Sequence, residues 1–218
     1  MSTKGFIFDL DGVIVDTAKY HYLAWQQLAQ ELGISFTETQ NEELKGVSRV
    51  RSLEKILAWG GVSLTEEEFN RQLQKKNKEY LTYIETMSED ELLPDVKRVL
   101  YFLKEQQQPL ALGSASKNAR LILHKTGLFE LFDAIVDGTN VTKAKPSPEV
   151  FMVAAEQLGM APENCIVFED SLAGIQAANT AKMMSIGVGN SNILQQANRV
   201  IATFTELPNP ELEALIHH

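Results

Sequence analysis

GFIFDLDGVIVDT, residues 5–17, runs a short apolar segment into Asp9 and Asp11, with Asp16 close behind. A segment apolar at nearly every position suits a strand buried on both faces, so the two carboxylates fall where that strand ends. Two carboxylates that close repel each other. The stretch is therefore either a turn with acidic punctuation or a place where a cation and a phosphate are handled.

Runs of the same kind recur along the chain as LALGS (110–114), AIVDG (134–138), CIVFED (165–170) and SIGVG (185–189). Helical patterns alternate with them. Residues 94–104 place Val96, Val99, Leu100 and Leu103 on one stripe, with Pro94 at an allowed first-turn position. Residues 148–158 and 171–181 read the same way, and Gly159 supplies a stop. Strand and helix in alternation predict an α/β fold, a doubly wound parallel sheet of Rossmann-like type. The spacing breaks once, because FIFD and LALGS are separated by far more chain than one crossover helix requires. The intervening chain is helix-rich: a first helix ends at Gly33, and a later one is capped by Thr65 with acids in its first turn. The expected organisation is a core of residues 1–16 plus 89–218 and an inserted α-helical cap of 17–88. The junctions near 13–17 and 88–93 are hinge candidates.

The chain has 218 residues, 44% hydrophobic and 22% charged, enough for a sizeable buried core. Its net charge of -9 argues against general binding to nucleic acid or anionic membrane. It does not argue against a small anionic substrate, since a local cation and a few lysines invert the field inside a cleft. Cys165 is the only cysteine, which points to a reducing cytoplasm. No signal-peptide h-region precedes the first acidic residue, and no long apolar span occurs. A monomer is expected, because no apolar surface stripe stands out beyond the inferred cores. The terminal pair His217–His218 is set aside.

In an open α/β sheet, ligands bind at the carboxyl ends of the strands. The polar residues ending these strands are Asp9 and Asp11, Ser114, and Glu169 and Asp170, with Lys145 on a loop between strands. Each has a bland reading too: acids cap helices, Ser114 in GSASKN suits a helix cap, and a lone lysine is usually solvated. Their convergence on one edge outweighs those readings. Carboxylates gathered there need a hard cation, and Mg²⁺ prefers oxygen ligands and bridges to phosphate.

DLDGVIVDT resembles the first motif of the haloacid dehalogenase superfamily, Asp-x-Asp-Gly-x-(Val/Thr). GSAS, Lys145 with Pro146, and FEDS are similar to its second, third and fourth motifs, in the right order across essentially the whole chain. The resemblance implies that Asp9 is a nucleophile forming an aspartyl-phosphate and that Asp11 is the general acid/base. It implies one Mg²⁺ per subunit, held by Asp9, the backbone carbonyl of Asp11 and Asp170, with Glu169 adjacent. Ser114 and Lys145 would bind the phosphoryl oxygens. A cis bond at Lys145–Pro146 is accessible, and sequence leaves it open.

LKGVSRVRS (44–52) resembles the substrate-binding loop of the β-phosphoglucomutase family, with Lys45, Gly46, Val47, Ser48, Arg49 and Ser52 in matching places. Arg49 would clamp the phosphate distal to the one transferred. His21, Trp25 and Lys76 also match, as do Ala115, Ser116, Lys117 and Asn118 in SASKN. Against this, His21, Trp25, Leu28 and Leu32 follow helical spacing and suit a core stripe, and Lys76 sits in QKKNK, which reads as a solvated face. The implied reaction is β-glucose 1-phosphate to glucose 6-phosphate through β-glucose 1,6-bisphosphate. The main rival is a Mg²⁺-dependent sugar-phosphate phosphatase on the same scaffold. A signalling receiver domain is disfavoured: its phosphorylated Asp ends a middle strand, where this chain has Ser114, and it lacks the helical insert. A catalytically dead sugar-phosphate binder is disfavoured because every chemical position is filled.

Overall fold

The computed structural model describes residues 3–217; Met1, Ser2 and His218 lie outside it. The chain opens with β1 (Gly5–Phe8), then four helices, α1 (Ala18–Glu31), α2 (Glu38–Glu42), α3 (Arg49–Gly60) and α4 (Glu66–Ile84). Next come α5 (Val96–Glu105), β2 (Leu110–Gly113), α6 (Ala119–Lys125), β3 (Ala134–Val136) and α7 (Glu149–Gln157). The remainder is β4 (Cys165–Glu169), α8 (Leu172–Thr180), β5 (Met184–Val188), β6 (Arg199–Ile201) and α9 (Asn209–His217).

The strands form one parallel sheet in the order β3-β2-β1-β4-β5-β6. β1 is central, pairing with β2 on one side and β4 on the other, so the strand order reverses beside it. That reversal opens a crevice at the carboxyl ends of β1 and β4. Both faces are covered, and period-2 alternation sorts the side chains. Phe6 and Phe8 pack with Val99, Leu100, Ile122 and Leu212 from α5, α6 and α9. Ile7 packs the opposite way, with Phe151 and Ala177 from α7 and α8. Phe8 stacks on Phe168 of β4 at 4.8 Å between ring centroids, which ties the two site-bearing strands together.

β6 was not among the expected strands. It is a three-residue edge strand, Arg199–Ile201, in which only Ile201 is buried, so it carries no apolar run. The helix expected over 94–104 begins later, at Val96, although all four residues of its stripe are buried. Pro94 lies outside it, in a turn: Leu93 N–H donates to Ile14 O at 3.0 Å, Leu92 bridges Val15, and Asp95 turns the chain with φ +64°. These contacts run the junctions 13–17 and 88–93 side by side, and Asp16 N–H donates to Glu91 O at 3.0 Å.

Several starts and stops among helices α1 to α4 follow from local sequence. Thr65 and Glu68 form a reciprocal capping box at α4, Ser48 caps α3, and Gly33 and Gly61 take left-handed φ after α1 and α3. Trp25, Leu28, Phe36, Leu44, Leu53 and Ile56 form an apolar cluster of their own. Tyr80 and Ile84 of α4 instead join the cluster that includes β1, so the helical segment is anchored to the sheet. Among the described residues no helix is long and apolar enough to cross a membrane.

Candidate active site

Asp9 is the first residue beyond β1, and its N–H donates to Phe168 O of β4 at 2.9 Å. Ser114 follows β2, fully buried, and its Oγ accepts from Ser116 N–H at 3.1 Å. Lys145 reaches in from the loop after β3. Its Nζ donates to Asp9 Oδ1 at 2.5 Å, Glu169 Oε2 at 2.7 Å and Gly113 O at 3.2 Å, above the Phe151 ring. The peptide bond between Lys145 and Pro146 is cis. The other oxygen of Glu169 accepts from Ser171 N–H and Oγ–H at 3.0 and 2.7 Å. A Cβ at Gly174 would lie 2.0 Å from the Glu169 carboxyl carbon, so this glycine makes the room. At Gly12, φ is +80° and a Cβ would stand 2.1 Å from Asp170 Oδ2. The first motif's glycine thus lets the chain turn under Asp170.

Carboxylate oxygens of Asp9, Glu169 and Asp170 lie within 4.8 Å of one another. Burial raises the Asp9 pKa to about 8 despite the attraction of Lys145. Burial, then Glu169 and Asp9, push Asp170 well above the usual carboxylate range. Burial works against the Lys145 charge, but Asp9 and Glu169 outweigh it and hold the ammonium firmly protonated. Lys145, with Lys45 Nζ 3.7 Å from Asp170, sets two cations against three carboxylates and leaves the cluster short of positive charge. An all-oxygen, over-negative donor set fits a hard divalent cation such as Mg²⁺.

Asp11 faces the other way. Its Oδ1 accepts from the Thr17 hydroxyl and stands 3.8 Å from His21 Nε2. Burial raises its pKa, with the Thr17 hydrogen bond and Lys76 opposing. His21 stacks on Tyr80 at 4.3 Å, and its Nδ1 shares a hydrogen bond with Lys76 Nζ at 2.8 Å. Lys76 is not on a solvated face: it is 2% exposed, with its Nζ 4.7 Å from the Trp25 ring centroid and 4.6 Å from that of Tyr80. Burial and the Arg49 charge pull its pKa well below that of a free lysine. Burial likewise, then Lys76 and Arg49, depress His21.

The segment after α2 closes over the sheet edge. Lys45 pairs with Glu42 at 2.9 Å and reaches Asp170 at 3.7 Å. Gly46, at φ +69°, comes so near Ser171 Oγ that a Cβ would lie 2.6 Å from it. On the other side, the Asn118 amide donates to Asn77 Oδ1 of α4 at 3.0 Å.

Between these walls lies a cavity of about 550 Å³. Its lining includes Asp9, Asp11, Ser114 and Asp170 below, His21, Trp25, Lys76 and Lys45 through Arg49 with Ser52 above, and Ala115 through Asn118. Lys145 and Glu169 sit behind Asp9 and do not line it. Four neighbours of the site were not named as site residues from sequence: Thr17 on Asp11, Tyr80 under His21, Ser171 on Glu169, and Asn77 on Asn118. Tyr80 follows Lys76 by one helical turn, a spacing that would have drawn it in. Ser171 closes FEDS and Thr17 closes DLDGVIVDT, so the motifs held a signal for both, whereas nothing in the sequence separates Asn77 from ordinary polar residues.

A family model for haloacid dehalogenase-like hydrolases matches residues 3–182. The chain belongs to that family. It is 41% identical over 206 residues to a β-phosphoglucomutase of Bacillus subtilis, covering 94% of this chain and 91% of the relative. A crystal structure of β-phosphoglucomutase from Clostridium difficile superposes with a TM-score of 0.94 at 41% identity, covering 99% of this chain and 97% of that one. A phosphorylated carbohydrates phosphatase of Thermotoga maritima is 30% identical over 180 residues, 82% of this chain and 81% of its own length. Membership in this hydrolase family brings with it the expectation of metal-assisted phosphoryl transfer, for which the acidic cluster is suited.

Proposed function

We propose that this family member is a β-phosphoglucomutase, interconverting β-glucose 1-phosphate and glucose 6-phosphate through an aspartyl-phosphate and β-glucose 1,6-bisphosphate. The observation that carries the reading is a single cavity lined both by Asp9, which Lys145 backs from behind at the sheet edge, and by the Arg49 cation from the helical segment. A sugar bearing two phosphates needs both.

In this mechanism Asp9 carries the phosphoryl group. The 6-hydroxyl of β-glucose 1-phosphate attacks phospho-Asp9, and Asp11 takes the hydroxyl proton as the phosphorus–oxygen bond to Asp9 breaks. The bisphosphate then reorients. Asp9 attacks the phosphorus on carbon 1, and Asp11 returns the proton to the departing anomeric oxygen. Lys145 and Ser114 hold the phosphoryl oxygens, and Glu169 with Phe151 fixes the Lys145 ammonium. Asp9, Asp170 and the backbone carbonyl of Asp11 would hold one Mg²⁺, with Glu169 adjacent. When bound, the ion offsets charge on the phosphoryl oxygens. Arg49 clamps the distal phosphate, Lys45, Gly46, Val47, Ser48 and Ser52 line the sugar's approach, and Ala115 through Asn118 face the ring with His21, Trp25 and Lys76. Residues 17–88 act as the cap, moving about 13–17 and 88–93. We take the enzyme to be a cytoplasmic monomer acting on small sugar phosphates.

The likeness to a carbohydrate-phosphate phosphatase favours a second reading, hydrolysis on the same scaffold. One assay separates them: protein, Mg²⁺ and β-glucose 1-phosphate with a trace of the bisphosphate. Glucose 6-phosphate is the expected product, and inorganic phosphate in its place would establish the phosphatase. Other sugar 1-phosphates of both anomers, run alongside, define the sugar.

A further inference from the structure

Asn41, at the C-terminal end of α2, is 8% exposed and lines the cavity on the wall opposite the sheet. Its backbone is engaged, the N–H on Thr37 O and the carbonyl by Leu44 N–H, each at 3.0 Å. Its side-chain amide has no hydrogen-bond partner among the described residues. An amide offers donors and acceptors together, and this one lines the cavity with no protein partner, so both remain available to a ligand there. The position is fixed, because Leu44, one turn on, is buried in the cluster with Leu53 and Ile56. Ser52 of α3 lines the same cavity, 2% exposed, with its hydroxyl likewise unpartnered.

The chemistry of this pair differs from the rest of the cavity. Lys45 and Arg49, also on that wall, and Lys145 beneath it are charged and suit phosphates. A neutral amide and a neutral hydroxyl lining the same cavity suit a group that both donates and accepts, which a sugar ring hydroxyl does. We infer that the Asn41 carboxamide hydrogen-bonds a ring hydroxyl of the sugar phosphate and is a specificity-determining residue of this enzyme. The inference rests on the mutase reading given above and extends it to the choice of sugar.

The test pairs Asn41→Leu and Asn41→Ala with β-glucose 1-phosphate and its 2-, 3- and 4-deoxy analogues, kcat/KM being normalised to folded protein by circular dichroism. With β-glucose 1-phosphate the variants lose roughly 5- to 50-fold, as expected when a buried partner of a hydroxyl is removed. With at least one deoxy analogue the loss shrinks by more than about threefold, since the contact is already gone. Losses on all four sugars within about threefold of one another, or no loss on β-glucose 1-phosphate, overturn the inference. Unmodified enzyme gives an independent reading if neither variant folds. It must turn over at least one deoxy analogue roughly 5- to 50-fold less well than the parent sugar, and equal turnover of all four overturns the inference. Absence of glucose 6-phosphate from unmodified enzyme and β-glucose 1-phosphate is a different failure, that of the mutase reading, and removes this inference with it.

Discussion

Asp9 and Asp11 are chemically alike and two residues apart, yet the fold gives them opposite surroundings. Asp9 is locked to Lys145 and grouped with Glu169 and Asp170, while Asp11 turns to Thr17 and His21. Their substitutions should therefore fail differently. Asp9→Asn removes the nucleophile and abolishes turnover, and no phosphoenzyme forms when it is incubated with the bisphosphate. Asp11→Asn keeps the phosphoryl site and loses proton transfer, so kcat falls by about 10²–10⁴-fold. Rapid-quench detection of phospho-Asp9 distinguishes the two, and turnover by Asp9→Asn would overturn the mechanism. That both acids belong to a site was legible only once GFIFDLDGVIVDT was set beside Ser114, Lys145, Glu169 and Asp170 at one sheet edge, and their separate roles came from the family resemblance. Their opposite orientations were not legible, since these depend on Lys145 and Thr17 approaching from separate parts of the chain.

Among elements, legibility followed local rules. The α4 start is written in Thr65 and Glu68, and the α5 stripe in its four apolar residues, whereas β6 and the turn at Pro94 depend on neighbours remote in sequence. Lys76 makes the same point on the helix surface: QKKNK offers near-equivalent cations, and only packing on Trp25 and Tyr80 singles one out. The loop after α2 is local in origin and tertiary in effect. Gly46 combines left-handed φ with close approach to Ser171. Gly46→Ala should cost about 1–2 kcal/mol in backbone strain alone. It also pushes the Lys45–Arg49 wall off the sheet edge, so KM for β-glucose 1-phosphate rises while the melting temperature falls modestly. A KM equal to that of the parent enzyme would show that this contact does not shape the site. In the central strand β4, Cys165 is fully buried, and burial, then Glu163, raises its thiol pKa to about 11. The neutral thiol is the folded form, so its contribution to stability is complete below the free-thiol value of about 8.5 and is lost as pH rises towards 11. Native protein at pH 8 should leave a thiol-reactive probe untouched until denaturant is added.

At the scale of the whole molecule, a mutase on a hydrolase scaffold must deliver a sugar hydroxyl to phospho-Asp9 sooner than water arrives. The structure joins the helical segment to the sheet at three places around the cavity: Lys45 with Gly46 on Asp170 and Ser171, Asn77 with Asn118, and His21 beside Asp11. The bridge between Val15 and Leu92 brings that segment back beside its point of departure, so these contacts close one perimeter. Asn77 offers the cleanest probe of that perimeter, because it holds Asn118 from α4 without lining the main cavity itself. Asn77→Ala removes one uncharged hydrogen bond between the two walls and leaves every proposed chemical group in place. The ratio of inorganic phosphate to glucose 6-phosphate should rise roughly 2- to 10-fold, the range expected from one such bond. Phosphoenzyme formation should be unchanged. His21→Ala acts on the same perimeter from the Asp11 side and should raise the ratio too. If both variants keep the parent ratio, exclusion of water does not depend on these contacts, and selectivity must lie in the placement of the sugar alone.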